Sequence, residues 1–143
     1  MNTIDEASFH ALLHAYLDEL DRDLTFQHVN EEEGDPYEKY PIIFSACIED
    51  KIVGMVAYQP LSLKRCEMKR LYVLQDYRNQ GIARKLIDAI LKQAKEDGYQ
   101  EMVLDTILPF QAALHLYRDF GFKECEPYYH NPMSDVIYLS KDL

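Results

Sequence analysis

The chain has 143 residues, 48% of them hydrophobic and 28% charged, with a net charge of −10. These values suit one globular domain, residues 1–143, and exclude a disordered or low-complexity chain. The longest apolar run, Ile52–Tyr58, is far short of a membrane span, and the acidic balance argues against general nucleic-acid binding.

Residues 3–24 read as a helix, because Phe9, Leu12, Leu13, Tyr16, Leu17 and Leu20 recur at helical spacing. Thr3 and Glu6 make a capping box at its start. Residues 28–41 are polar and rich in turn formers, so they form a loop or a short helix. Three strands follow, at Ile42–Glu49, Ile52–Gln59 and Arg65–Leu74. A tight turn at Asp50 makes the first two an antiparallel hairpin.

The longest periodic stretch is Ile82–Glu96, with Ile82, Leu86, Ile90 and Ala94 on one line. Gly98 stops it. Glu101–Thr106 reads as a strand and Phe110–Phe120 as a helix ended by Gly121. Strands at Phe122–Cys125 and Asp135–Ser140 close the chain. The order α-βββ-α-β-α-β-β predicts a mixed α+β sheet.

Charge is unevenly placed. Residues 1–40 carry eleven acids and two bases, whereas residues 64–85 carry seven bases and two acids. A basic segment of that size suits one small polyanion; it equally suits a solvated surface. The N-terminal MNTIDEAS has neither the basic nor the apolar region of a secretory signal. Cys47, Cys66 and Cys125 are widely spaced and form no C-x-x-C, which argues against a disulfide framework or a zinc site. A reducing cytoplasm is the expected compartment. His10 and His14 are four apart on the first helix but have no third ligand in the pattern, so no metal is expected.

The most informative stretch is Cys66–Leu86, CEMKRLYVLQDYRNQGIARKL. A strand runs into a turn, and a long helix starts there. The first N–H groups of that helix lack internal partners, and its dipole end is positive. Gly81 permits close backbone approach, and Arg78 and Arg84 add charge. A phosphate or diphosphate belongs at Gln80–Arg84. Neither the P-loop nor the dinucleotide fingerprint fits. Within the strand the apolar phase slips by one residue between Met68 and Leu71. That slip marks either a β-bulge or an ordinary strand interrupted by Arg70.

These residues resemble the Gcn5-related N-acetyltransferase (GNAT) superfamily. Arg78–Ala83 is similar to its R/Q-x-x-G-x-G/A turn. Leu104–Cys125 resembles its second signature, with Ala113, Tyr117, Gly121 and Phe122 in place. The E-M-K-R-L-Y-V strand and the Y-Y-x-N-P ending look like those of small-molecule-type members. The resemblance implies a mainly antiparallel mixed sheet with splayed parallel central strands, flanked by helices. This chain begins directly with the first helix, so the usual first strand is missing and a homodimer partner is one way to cover the edge.

The resemblance also implies acetyl-CoA as co-substrate and no metal. The diphosphate would meet Arg78, Asn79, Gln80, Gly81, Ile82, Ala83 and Arg84. The pantetheine would pair with Leu71, Tyr72 and Val73, and the Val73 amide would serve the oxyanion. Phe110 stands where members often place an Asn. Glu67 is the expected base, acting through water, unless it is an exposed strand Glu paired with Lys69 or Arg65. Tyr117 is the expected acid for the departing thiolate, unless it is a core aromatic. Tyr128, Tyr129, His130 and Asn131 are the expected acceptor-recognition loop.

Alternation places Cys66 opposite Glu67, which disfavours an acyl-cysteine intermediate. The expected activity is N-acetylation of a primary amine on a small molecule, and the acidic first 40 residues would favour a cationic one. The alternatives are a protein or peptide N-acetyltransferase and a non-catalytic acyl-CoA-binding module.

Overall fold

The hydrophobic period of each segment sets its element. In a computed structural model, which describes residues 3–20 and 35–143, helix α1 spans Glu6–Leu20. The end of the predicted first helix, including Asp21 and Asp23, and the first part of the predicted loop lie outside the described residues. The start of α1 differs from the expected capping box. Asp5 is the cap: its carboxylate accepts the Ser8 N–H at 2.7 Å and the Ser8 hydroxyl at 2.9 Å, while its carbonyl accepts the Phe9 N–H. Thr3 instead lends its carbonyl to the Ser45 hydroxyl on the neighbouring sheet.

Six strands form one sheet: β1 (Ile42–Ile48), β2 (Lys51–Pro60), β3 (Arg65–Val73), β4 (Glu101–Ile107), β5 (Lys123–Glu124) and β6 (Val136–Asp142), in spatial order β1-β2-β3-β4-β6-β5. Helices α2 (Ile82–Glu96) and α3 (Gln111–Asp119) complete the fold. Every pairing is antiparallel except β3 with β4. Among the described residues no strand precedes β1, which leaves Ile42–Ile48 as one sheet edge, as expected. Glu49 and Asp50 both take positive φ, the signature of a two-residue hairpin turn.

The sheet is buried on both faces. One face packs against α2 through Leu86, Ile87, Ile90 and Ala94, with Cys66, Met68, Met102 and Leu104 beneath them. The other packs against α1 through Phe9, Leu12 and Leu13 over Ile43, Met55 and Ala57. Gly54 lets α2 settle on the first face: a Cβ on it would stand 3.2 Å from Leu86.

The slip in β3 is a bulge. Two steps along β2, from Met55 to Ala57, face three along β3, from Tyr72 to Lys69, and Arg70 lies at φ +59°. A side chain held there costs roughly 1 kcal/mol or more, so the surrounding pairing must impose it. The bulge bends β3 just where its partner leaves it. Parallel pairing with β4 covers only Arg65↔Glu101, Cys66↔Met102 and Glu67↔Val103. Beyond those pairs the strands part.

Leu86 is fully buried between α2 and the sheet. Leu86→Ala is expected to lower unfolding stability by roughly 2–5 kcal/mol in urea titration. Leu63→Ala, at a site 95% exposed, should leave the midpoint where it is.

Candidate active site

The parting of β3 and β4 opens a cavity of about 560 Å³. Its walls come from the bulged half of β3, the turn before α2, the end of β4 and the inner side of α3. The closed end of the V is pinned by Arg65, whose Nε donates to Glu101 Oε1 at 2.6 Å, and by the Gln100 and Glu101 amides on the Lys64 carbonyl.

The turn before α2 is built for close approach. Asn79 and Gly81 both take left-handed φ, at 63° and 80°. Gly81 caps α2 with no side-chain hydrogen bond, so the first N–H groups of the helix stay unmet by any cap. A Cβ on Gly81 would meet nothing within 4 Å, which leaves open space before those amides. Arg78, Asn79, Gly81, Ile82, Ala83 and Arg84 all line the cavity, and Gln80 is exposed outside its lining.

Leu71, Tyr72 and Val73 line it too. The Leu74 amide bonds to the Val53 carbonyl across the β2–β3 pair, so by alternation Val73 turns its own N–H and C=O toward the splay. The Val73 carbonyl accepts Arg78 Nε at 2.9 Å. The rest of that guanidinium is engaged as well: its two terminal nitrogens donate to the Glu19 carboxylate at 2.7 and 2.6 Å, and it stacks over Tyr72. This bidentate pair holds the Glu19 carboxyl below its ordinary range. Arg78 is therefore a strut joining α1, β3 and the turn, rather than the free phosphate ligand that the spacing suggests. Arg84 bonds Asp119 at 2.8 Å on the surface.

Tyr117 lines the cavity from α3 and is 8% exposed. Its ring packs edge-on against Phe122, yet among the described residues its hydroxyl has no hydrogen-bond partner. Burial raises its pKa above that of ordinary phenol, with Tyr16 and Asp105 adding to the effect. The phenol thus stays protonated at neutral pH and is available as a donor.

Glu67 is 4% exposed, not the exposed strand residue of the alternative reading. Its Oε1 accepts Gln59 Nε2 at 2.7 Å and its Oε2 accepts the Tyr128 hydroxyl at 2.5 Å. Neither Glu67 nor these two partners line the cavity. Tyr129 donates to Asp105 Oδ2 at 2.5 Å and receives Asn131 Nδ2 at 2.9 Å. The tyrosines of the loop thereby tie it across the ends of β3 and β4. Burial, then the carboxylates beside them, raise the pKa of both Tyr128 and Tyr129. Of the loop residues singled out in the sequence, Asn131 lines the cavity, Tyr128 and Tyr129 stand behind it, and His130 is exposed and apart.

Among the cavity residues to which the sequence reading gave no site role are Lys69 and Asp105. Each is the second residue after the last parallel pair, Glu67↔Val103, on the face opposite Cys66 and Leu104. In β4 the available signal was Asp105 among the apolar Met102–Ile107, whereas in β3 Lys69 was one of several charged residues and nothing marked it out. Among the described residues no group of three or more His, Cys, Asp and Glu side chains is arranged to hold a metal ion.

The comparisons agree with this geometry. Residues 5–122 match the model of the acetyltransferase (GNAT) family. An uncharacterized N-acetyltransferase of Schizosaccharomyces pombe is 39% identical over 97% of this chain and 89% of its own length. The chain spans only 36–38% of the length of several other curated N-acetyltransferases that it matches. A GNAT acetyltransferase from Elizabethkingia anophelis, solved with acetyl-CoA bound, superposes with a TM-score of 0.62 at 25% identity, over 71% of this chain and 75% of that one. Ard1 from Thermoplasma volcanium superposes at 0.82 over 99% and 95%, and at 16% identity shares the fold. The chain belongs to the GNAT acetyltransferase family and is one of its N-acetyltransferases.

Cys66 is fully buried on the α2 face, and burial pushes its thiol up to about 12. Cys47 is exposed. Alkylation near neutral pH followed by mass spectrometry should modify Cys47 and spare Cys66 until the protein is unfolded. Early labelling of Cys66 would revive an acyl-cysteine route.

Proposed function

We propose that the enzyme transfers the acetyl group of acetyl-CoA directly to the primary amine of a small molecule, and that the whole chain works as one catalytic domain. The observation that carries this reading is the buried Tyr117 hydroxyl, unpartnered among the described residues, in a cavity that opens at the uncapped start of α2. The Elizabethkingia relative's acetyl-CoA supports the choice of donor.

The residues present suit that co-substrate. The amides at Gly81–Arg84 would hold the diphosphate, with Arg78 fixing the turn. Leu71, Tyr72 and the outward Val73 backbone would hold the pantetheine along the splay. Asn79 takes the left-handed conformation that shapes the loop. Gln80 remains a rim contact.

In the reaction the amine nitrogen attacks the thioester carbonyl. The nitrogen–carbon bond forms, the carbon–sulfur bond breaks, and one proton passes overall from nitrogen to sulfur. The Val73 N–H stabilises the oxyanion. Tyr117 donates to the departing thiolate. Glu67 takes the amine proton through water, with Tyr128 and Gln59 fixing its two oxygens. A cavity with walls on several sides favours a small acceptor over a protein chain. Among the described residues no helix is long and apolar enough to cross a membrane, in keeping with work in the cytoplasm.

Calorimetry with acetyl-CoA, with NADH and ATP as controls, tests the reading. Saturable binding of acetyl-CoA alone is expected, and Gly81→Arg should abolish it by filling the space before the α2 amides at a strained φ. Tyr117→Phe should keep binding and lower kcat about 100-fold. Because burial raises the Tyr117 pKa, the wild-type rate should show no alkaline fall from this group up to the ordinary phenol range. Failure of acetyl-CoA to bind at millimolar concentration would end the enzyme reading of this site.

A further inference from the structure

Among the charged residues that line the cavity are Lys69 and Arg70 from β3 and Asp105 from β4, the two parting strands. From β3 comes Lys69, whose side chain is 11% exposed. Among the described residues its one carboxylate neighbour within 4 Å is Glu67, with Oε2 at 3.9 Å from Nζ. That separation is beyond hydrogen-bond reach. Both Glu67 oxygens are already committed, to Gln59 and to Tyr128. The ammonium therefore has three donors and no acceptor among the described residues. From β4 comes Asp105, with Oδ2 on the Tyr129 hydroxyl and Oδ1 free of any hydrogen bond among the described residues.

Burying an ammonium without an acceptor is costly, and a fold keeps one when a ligand completes it. Burial lowers the Lys69 pKa, and the opposing effect of Glu67 does not cancel the shift. An incoming anion would favour the charged form. Asp105 offers the complementary half: a carboxylate in the cavity attracts an alkylammonium.

From this juxtaposition we propose that the acceptor is a small aminocarboxylate, held with its carboxylate on Lys69 and its amine beside Asp105. The inference rests on the acetyl-transfer reading above and names the acceptor class for the same site. It departs from the simple cation that the acidic first 40 residues suggest. Within that region Glu19 already spends its charge on Arg78.

The test is a matched acceptor series assayed for acetyl-CoA consumption. Phenylalanine, β-alanine and 4-aminobutyrate are each compared with their carboxamides, with putrescine as the plain cation. Wild-type enzyme should favour at least one acid over its amide in kcat/KM by roughly 10- to 100-fold, the worth of a hydrogen bond to a charged group. In Lys69→Met that acid-to-amide ratio should fall to about 1, and Lys69→Arg should restore part of it. A merely structural role for Lys69 would depress acid and amide alike and leave the ratio standing, which overturns the proposal. Preference for the amides or for putrescine in the wild type also overturns it, independently of how the variants fold. So does absence of turnover with every acid. In that last case calorimetry separates the two readings: bound acetyl-CoA leaves the acetyl-transfer reading in place and removes only the acceptor class, whereas no binding removes both.

Discussion

The brevity of the β3–β4 pairing is the constraint on which the rest depends. Three residue pairs hold the parallel strands together, and the bulge at Arg70 then carries β3 away. Parallel neighbours ordinarily satisfy each other's backbone along their length. Here the second half of β3 turns the Val73 amide toward open space instead. The hydrophobic cost of that opening is limited because α2 and α3 cover one face and α1 part of the other. The V stays closed at its narrow end through Arg65 and Glu101.

The opening divides the site between the two faces of the sheet. On the α2 and α3 face stand the uncapped helix start and the Tyr117 phenol, surrounded by Leu104, Leu114 and Phe122. An apolar setting keeps that phenol protonated, and among the described residues it has no hydrogen-bond partner. On the other face stand Glu67, Lys69 and Asp105 with the tyrosines of the loop before β6. There both Glu67 oxygens and Asp105 Oδ2 are engaged, while Lys69 Nζ and Asp105 Oδ1 have no hydrogen bond among the described residues, and Lys69 and Asp105 both line the cavity. The proposed division, donor chemistry on one side and acceptor recognition on the other, would follow from strand alternation around a single gap.

Ion pairing changes what net charge implies. The excess of acid in residues 1–40 suggests a negative field over the acceptor side. At Glu19 that charge is consumed in a bidentate contact with Arg78, which also holds the Val73 carbonyl. The contact fixes the end of α1 against the turn before α2. It thereby couples the element that covers one face of the sheet to the loop that begins the helix on the other.

The sequence by itself determined the order and type of the described α-helices and strands, the buried stripe of α2 and the turn at Gly81, and it marked Met68–Leu71 as either a bulge or an interrupted strand. These features are local: periodicity, a phase slip within one strand and a glycine before a helix are written in neighbouring residues. Tyr117 was legible from its motif as well. Other features belonged to the tertiary structure alone. The cap of α1 fell to Asp5 because Ser8 answers it twice, while Thr3 was drawn off to Ser45 on another strand. Arg78 became a strut, Glu67 was bound by Tyr128, and Lys69 and Asp105 came to line one cavity. Apart from the Asp5–Ser8, Gln59–Glu67 and Arg78–Val73 bonds, these outcomes join residues 30 or more positions apart, and distance along the chain carries no record of which side chains the sheet will bring together.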